Sequence, residues 1–584
     1  GVYIAAGGRM AFDISNSVDL QPVGGAVEVT VEYFDEDWEG FGICYNTSSG
    51  PEQSELVYVE NSQQWRTATF VLNDLNQSNQ YYDGDFAIET DCWEYGTREY
   101  PLLVGRVSVK LLPPKNVSVS VETPRAGRVF ANGEDITFDV TFKNELKALQ
   151  NAKVKYTASD YENGEILWTG EDSITLKKND IISRSVTVPA HKFGRFIFTV
   201  EAADSSGKYG YKENFRYSYT AFDTKNMPAN KAMGSCVHFT LDERKSELVA
   251  PLMAAAGLNY ARDEIWWASY VKTKGVHKMT STDEKYLKDI EKSGLEKLTI
   301  LGFSNAVCMP GKENQSATAY PETEEELKAW EDYCYNLAKE LGDRCTMYEV
   351  WNEPDPMHSK QYAQTLKRAY IGVKKGNPNA KVIGGVFAGT QISMTRELLE
   401  EGYGDYMDGI SFHIYRWDNN AMDEDSTYFY DETARFVNTV NEYKPLDIYV
   451  TEFGWSLALK PMTQFSIRDN FLKIMTVFGQ FPQIKGTFWY EFQNGGSHMN
   501  SREHNFGLVD NWLRYSPYAA NSAYCAMAAY NAIIGNAKVS DKYENEKTYI
   551  YRFTKNYRGN DTMMLWREGG DRTVSLNLDC EKIT

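Results

Sequence analysis

Two glutamates in this sequence each follow an apolar run and could act together as an acid/base pair. Glu353 lies in YEVWNEPDP (348–356) and Glu452 in DIYVTEFGW (447–455). Two carboxyl groups beside a glycosidic bond can cleave it, because one protonates the leaving oxygen while the other attacks the anomeric carbon. The two must then differ in pKa, and we expect ionised Glu452 to raise the pKa of Glu353 by like-charge repulsion. A single Glu is usually a solvated loop residue, but two Glu residues that both follow apolar runs are not expected by chance.

A basic residue could stabilise the ionised member of this pair. Arg262 follows the run LNYA, and it would hold Glu452 ionised if it reached that carboxylate. Alternatively, Arg262 could pair at the surface with its neighbours Asp263 or Glu264.

Further polar and aromatic side chains stand where other apolar runs end. His413 and Tyr415 are two residues apart and so lie on the same side of an extended chain. His413 could instead be a core histidine, and Trp489 could be a packing residue. Three more residues at such positions could line a site: His238, Trp267 and Asn305.

A barrel of parallel strands would bring these residues to one rim. Apolar runs alternate with helical segments from residue 233 onward, which is typical of a (β/α)₈ barrel, whose active site is built from the carboxyl ends of the strands. An open doubly wound sheet would also alternate, but no GxGxxG motif follows any of these runs. The eight strand candidates are GSCVHFT, LNYARDEIWW, KLTILGFSN, CTMYEVWNEPD, AKVIGGVFAG, MDGISFHIY, LDIYVTEFGWS and IKGTFWYEFQN.

Period-two alternation dominates the rest of the chain. We predict a jelly-roll-like β-sandwich over 1–112, an Ig-like sandwich over 113–225, the barrel over 226–537 and a β segment over 538–584. The motif PPKN (113–116) supplies the first boundary. Two or three terminal strands cannot bury a core alone, so they either complete a sheet against another domain or belong to a domain that is incomplete in this chain, and we favour the second interpretation.

Composition excludes several classes of partner. The net charge of −20 disfavours nucleic acid and anionic membranes, and no apolar run approaches the length of a membrane span. The eight cysteines form no CxxC pair and no metal-ligand spacing, so we expect no metal site and no thiol redox chemistry. No signal peptide is present in this chain.

The strand-end motifs carry a family resemblance. WNEP (351–354) and TEFGWS (451–456) resemble the acid/base and nucleophile motifs of clan A glycoside hydrolases, and SFHIY (411–415) and GTFWYEFQN (486–494) are similar to two further signatures of that clan. The similarity is greatest to family 39, then to family 5, and covers roughly residues 233–535. It implies that Glu353 is the acid/base and Glu452 the nucleophile.

The resemblance also implies roles for neighbouring residues. Asn352 would bind the 2-hydroxyl of the sugar, Tyr415 would position the nucleophile, His413 would line the subsite of the cleaved sugar and Trp489 would form a platform beneath it. The first sandwich is loosely similar to carbohydrate-binding modules.

The implied activity is that of a secreted or cell-surface retaining β-glycosidase without a cofactor. We expect an endo-β-glycanase of the glucanase, mannanase or xylanase type, acting on a polysaccharide or its oligosaccharides. The alternatives are an exo-acting β-xylosidase-like enzyme and a non-catalytic carbohydrate-binding or adhesion protein on a degenerate barrel. The sequence identifies neither the sugar nor the oligomeric state.

Overall fold

A computed structural model describes most of the chain. The described residues are 2–4, 9–15, 25–36, 40–77, 79, 83–90, 102–113, 117–144, 150–207, 210–241, 244–312, 319–416, 426–458, 462–496, 501–513, 516–554, 556, 558–569 and 573–576.

The first part of the chain is antiparallel β-structure. Its described strands are β1 (Val2–Ile4), β2 (Arg9–Phe12), β3 (Gly25–Asp35), β4 (Gly40–Thr47), β5 (Gly50–Gln53), β6 (Val57–Tyr58), β7 (Gln64–Leu75), β8 (Phe86–Glu89) and β9 (Leu102–Leu112). They hydrogen-bond in the order β1-β9-β3-β7-β4-β8-β2, with β5 and β6 attached to β4. Alternation sets the core face, as Val27, Val29 and Val31 of β3 are fully buried.

The second part forms two sheets around one core. Its strands are β10 (Ser118–Glu122), β11 (Val129–Ala131), β12 (Ile136–Lys143), β13 (Gln150–Asp160), β14 (Ile166–Leu176), β15 (Ile181–Val188), β16 (Gly194–Asp204) and β17 (Gly210–Thr220). The sheet β10-β12-β15 packs on the sheet β11-β17-β16-β13-β14. Phe138 of one sheet stacks on Phe198 of the other at 4.0 Å between ring centroids. The jelly-roll-like and Ig-like assignments, and the domain boundaries, stay predictions.

The predicted eight-stranded parallel barrel is confirmed. Its strands close in chain order, and β25 pairs with β18. They are β18 (Asn230–Cys236), β19 (Leu258–Trp266), β20 (Glu296–Gly302), β21 (Cys345–Val350), β22 (Lys381–Ala388), β23 (Gly409–Ile414), β24 (Asp447–Phe453) and β25 (Ile484–Trp489).

Helices cover the outside of the barrel. The described ones are α1 (Ser246–Ala255), α2 (Trp267–Tyr270), α3 (Ser281–Lys292), α4 (Glu324–Leu341), α5 (Ser359–Gly376), α6 (Ile392–Glu400), α7 (Ser426–Tyr443), α8 (Gln464–Gly479) and α9 (Ser522–Ile533). Local sequence explains where several begin. Thr323 and Glu326 form a capping box at α4, because each side chain accepts the other's backbone N–H.

The barrel interior has an apolar floor below a polar layer. The floor consists of Leu298, Met347, Ile383, Tyr449 and Phe488, each from a different strand. Side chains point to the same face every second residue, so the inward residue after Met347 on β21 is Glu349. The polar layer therefore begins one step above the floor, toward the carboxyl ends of the strands.

Three terminal strands, β26 (Val539–Asn545), β27 (Thr548–Phe553) and β28 (Thr562–Arg567), form an antiparallel sheet. Tyr551 and Phe553 join the core of the barrel domain, and the Thr476 hydroxyl of α8 contacts the sulfur of Met564 at 3.0 Å. These strands form a sheet of their own among the described residues and pack on the barrel domain. The favoured interpretation, a domain that is incomplete in this chain, stays a prediction. No helix among the residues that the structure describes is long and apolar enough to span a membrane.

The first sandwich contacts the barrel close to the end of β24. Leu457, five residues after Glu452, packs on an apolar cluster of that sandwich that includes Leu56 and Tyr58. The backbone N–H of Phe465, in the first turn of α8, donates to Glu60 at 3.2 Å. The loop after β24 is thus supported by a domain distant in sequence.

Candidate active site

A buried arginine lies at the centre of the polar layer. Arg262 on β19 is 3% exposed and donates to three oxygen atoms: Nε to Glu349 (2.6 Å), Nη1 to Glu452 (2.7 Å) and Nη2 to Asn352 (2.7 Å). It does not form the alternative surface pair with Asp263 or Glu264. Burial acts to lower the pKa of Arg262, but the carboxylates of Glu349 and Glu452 raise it well above its ordinary value.

Glu452 on β24 has both of its carboxylate oxygens engaged. Oε1 accepts from Arg262, and Oε2 accepts from the Tyr415 hydroxyl at 2.8 Å. Burial, and then the negative charge of Glu452, raise the pKa of Tyr415 well above its ordinary value, so its hydroxyl stays a donor. Because the two donors hold opposite oxygens, they fix the rotation of the carboxylate.

Glu353 follows β21 in an unusual backbone conformation. Trp351 and Glu353 both have positive φ, 72° and 49°, a region that costs a residue other than glycine about 1–3 kcal/mol. The Glu353 N–H donates to the Val386 carbonyl at 3.0 Å, which anchors this turn to β22. The side chain of Glu353 is 39% exposed at the mouth of the barrel.

His413 on β23 bridges the two glutamates. Its Nδ1 lies 2.9 Å from Glu353 Oε1 and 3.4 Å from Glu452 Oε2. Its Nε2 lies 3.4 Å from Arg262 Nη2, which can only donate. Nε2 is therefore the acceptor, and the proton on Nδ1 is donated to Glu353.

The pKa of Glu353 departs from the sequence-based expectation. Burial acts to raise it, but the hydrogen bond from His413, the electrostatic attraction of that donor and the charge of Arg262 lower it below its ordinary value. The expectation that Glu452 would raise this pKa is wrong for this arrangement, because cationic and donor groups stand nearer to Glu353 than the sequence could indicate.

The spacing of the pair is short. One oxygen each of Glu353 and Glu452 and one nitrogen of His413 lie within 4.8 Å of one another. Carboxyl groups that perform nucleophilic displacement at a sugar are about 5–5.5 Å apart, whereas inverting pairs are about 6.5–9.5 Å apart to admit a water molecule. The geometry matches the first class.

A second polar group stands beside the first, on β19 and just beyond the carboxyl ends of β18 and β25. His238 Nδ1 lies 3.8 Å from Glu264 and its Nε2 lies 3.8 Å from Glu491, which Arg244 also approaches at 3.3 Å. Burial acts to lower the pKa of His238, but its hydrogen bond to Glu264 and the charges of Glu264 and Glu491 raise it to about 9. His238 was predicted from the sequence as a site residue, but its charged neighbours Glu264 and Glu491 were not.

Three acidic residues in these groups were missed by sequence reasoning. Glu264 and Glu349 could have been found from alternation, since Glu264 is two residues after Arg262 and Glu349 is two after the floor residue Met347. Glu491 lies beyond the last residue of β25, where alternation no longer applies.

Tyr490, and not the predicted Trp489, faces this region. Trp489 is 1% exposed, its Nε1 donates to the Phe506 carbonyl at 3.0 Å, and its ring packs on Phe471 of α8. The Tyr490 ring lies 6.3 Å from that of Tyr415 and 5.8 Å from that of His238.

Two other predicted residues lie outside the cluster. Trp267 is fully buried against Trp330 and Tyr333 of α4. The Asn305 amide donates to the carbonyls of Trp267 and Val271 at 3.1 and 2.9 Å and so ties two loops together. Both residues have packing or bracing roles.

Two triads in the described part of the chain have donor atoms close enough to hold a metal ion: Glu353–His413–Glu452 and His238–Asp263–Glu264. The guanidinium of Arg262 already donates to the first, and the charge of buried Lys297 acts on Asp263 in the second. A protein cation therefore already acts on one carboxylate of each triad.

Comparison with known proteins shows that this chain is similar in fold, but not in sequence, to proteins of solved structure. No family model matches the chain, and no curated protein matches its sequence. The structure of a family 39 glycoside hydrolase from the gut symbiont Bacteroides cellulosilyticus WH2 aligns at 22% identity with a TM-score of 0.62, over 77% of this chain and 89% of that chain. This similarity shows a shared fold.

Two further solved structures align less closely. The GH39 enzyme from Xanthomonas axonopodis pv. citri is 16% identical, with a TM-score of 0.42, over 56% of this chain and 72% of its own. A GH5_18 protein from Streptomyces cattleya, in complex with GlcNAc, is 12% identical, with a TM-score of 0.41, over 52% of this chain and 81% of its own.

Proposed function

We propose that this chain is a retaining glycosidase in which Glu452 is the nucleophile and Glu353 the general acid/base. One observation carries the proposal: the two carboxylates lie within 4.8 Å of each other at the mouth of the barrel, with His413 between them. This spacing leaves no room for the water that an inverting reaction places between sugar and base.

In the first step, an oxygen of Glu452 attacks the anomeric carbon while Glu353 protonates the departing oxygen, which forms a glycosyl-enzyme ester. In the second step, Glu353 removes a proton from water, which attacks the same carbon and releases Glu452. Arg262 and Tyr415 bind the carboxylate in its ionised state, so they favour its role as the attacking group and as the leaving group of the second step.

The proton that Glu353 transfers is expected on its Oε2. Oε1 already accepts the Nδ1 proton of His413, so Oε2 is the atom left for the substrate. Because the pKa of Glu353 is low, protonation must be favoured on substrate binding, when the sugar displaces solvent from a carboxyl group that is 39% exposed.

The proposed substrates are β-linked polysaccharides or their oligosaccharides, cleaved internally by a secreted or cell-surface enzyme. The resemblance of WNEP and TEFGWS to clan A supports this class. An exo-acting glycosidase is the second candidate, and it is favoured by the charged group of His238, Glu264 and Glu491, which occupies one side of the barrel mouth and could close it.

The test is release of reducing sugar from β-glucans, mannans, xylans and galactans by the intact chain, with Glu353→Gln, Glu452→Gln and the exposed control Glu401→Gln in parallel. Proton NMR of the first product reports its anomeric configuration. We expect the product to retain its anomeric configuration. The first two variants should lose activity, and the control should keep the activity of the parent protein. An inverted product would refute the double displacement, and glycan binding without turnover would favour the non-catalytic alternative.

A further inference from the structure

An exposed tryptophan stands at the carboxyl end of β19. Trp266 is 37% exposed, whereas its neighbours Ile265 and Trp267 are fully buried. Both neighbours face the helix layer: Tyr333 of α4 donates to the Ile265 carbonyl, and the Trp267 ring packs on Tyr333. Alternation along the strand therefore directs Trp266 to the inner face, above Arg262 on the same strand.

The ring of Trp266 is supported from behind by other aromatic rings. Phe303 meets it edge-on, at 5.4 Å between centroids and an angle of 71°. Phe303 in turn meets Trp351 at 5.4 Å and 82°, and Trp351 stacks on Tyr320 at 4.4 Å. Since Trp351 is 1% exposed, this support is anchored in the core.

The supporting rings connect the tryptophan to the catalytic turn. Trp351 immediately precedes Asn352 and Glu353 in the chain. Asn352 accepts a hydrogen bond from Arg262, which lies on the same strand as Trp266. Single exposed apolar residues are common on protein surfaces. Trp266 differs because it stands on the inner face of a barrel strand and is continuous with the proposed site.

The chemistry of this position fits a neutral sugar ring. An indole supplies a flat apolar face with one polar edge, and the C–H face of a pyranose is its complement. Among the described residues of the two polar groups, the carboxyl groups of Glu264, Glu349, Glu491 and the catalytic pair outnumber the cationic side chains that contact them, which are Arg244, Arg262 and His238. An anionic sugar would therefore be repelled.

We propose that Trp266, supported by Phe303, is a stacking platform for a second sugar ring of the substrate, next to the ring that is cleaved. This proposal deepens the proposed function and rests on it. The occupant is a neutral sugar of the same glycan, so the enzyme acts faster on chains of two or more units than on a single unit.

The experiment compares a glycosyl fluoride with oligosaccharides of two, three and four units of the sugar that the polymer panel identifies. Fluoride is too small to reach a second sugar site, so the glycosyl fluoride reports the catalytic centre without that second site. The variants are Trp266→Ala, Trp266→Phe and the control Trp65→Ala. Trp65, in the first sandwich, is 50% exposed and rests on Phe34 at 5.5 Å, much as Trp266 rests on Phe303.

We expect Trp266→Ala to lower kcat/KM on the longer oligosaccharides by roughly 10-fold, the worth of one aromatic stacking contact. Its rate on the glycosyl fluoride should stay that of the parent protein, Trp266→Phe should recover part of the loss, and Trp65→Ala should change neither.

Unchanged oligosaccharide kinetics in Trp266→Ala would overturn the platform. An equal loss on both kinds of substrate would also overturn it, because damage to the catalytic turn would then be the cause. A parent protein inactive on the fluoride and on every polymer would instead refute the proposed function.

Discussion

Replacement of Tyr415 by Phe removes a hydrogen bond to the proposed nucleophile and keeps the aromatic ring. The Tyr415 hydroxyl donates to Glu452 Oε2 at 2.8 Å, and His413 Nδ1 lies 3.4 Å from the same oxygen. A hydrogen bond to a charged group contributes about 1.5–3 kcal/mol. If the bond positions the carboxylate for attack, kcat should fall about 10- to 150-fold, at tenfold per 1.36 kcal/mol.

The assay is steady-state hydrolysis of a glycosyl fluoride, which needs no acid catalysis and so isolates attack by Glu452. The matched control is Tyr443→Phe, which removes a phenolic hydroxyl that donates to Glu400 at 2.5 Å on the protein surface. This substitution should leave kcat unchanged. Melting temperatures of both variants show whether folding is affected. A kcat for Tyr415→Phe within about threefold of the parent value, less than the 1.5 kcal/mol minimum, would refute the positioning role.

Three further predictions concern Glu353, Glu349 and Glu60. Glu353→Ala should slow cleavage of sugar leaving groups by about 10²- to 10⁴-fold but that of glycosyl fluorides far less, and added azide should give a glycosyl azide of retained configuration; absence of that product would argue against the acid/base role. Glu349→Gln leaves buried Arg262 with one carboxylate fewer and should lower the free energy of unfolding by about 3–5 kcal/mol in urea titrations, whereas a change below 1 kcal/mol would show that Arg262 needs no such partner. Burial, opposed by the charge of Arg195, raises the pKa of Glu60 to about 7, so the folded protein keeps this proton at a pH where the unfolded chain has lost it; the free energy of unfolding should fall from about pH 4.5 to 7, by about 3 kcal/mol at most, and Glu60→Gln should remove that slope.

Much of the fold was predictable because its signals are local. Strand–helix alternation is visible in any short window, and it fixed the parallel barrel and the rim at which Glu353 and Glu452 meet. The packing of Leu457 on the first sandwich was not predictable, because it joins residues about 400 positions apart that share no pattern.

The site was predictable to the level of strands but less so at their ends. Alternation names inward residues only while the strand continues, so it failed between Trp489 and Tyr490, where β25 stops. The direction of the Glu353 pKa also required a distance, the 2.9 Å to His413, that no sequence pattern contains. Residue types were therefore easier to predict than the atoms that they contact.

Glu349 on β21, which also binds Arg262, explains how the proposed nucleophile Glu452 can be paired with a cation and still favour a positively charged transition state. Arg262 binds Glu452 through Nη1, and an isolated ion pair of this kind would have no net charge. Glu349 is buried, binds Nε of the same guanidinium and also accepts from Ser411 at 2.8 Å, so the three groups together keep one negative charge. Sugar cleavage passes through an oxocarbenium-like state, and that remaining charge lies on the side of Glu452. Glu349→Gln should therefore lower kcat as well as stability, although Glu349 is fully buried.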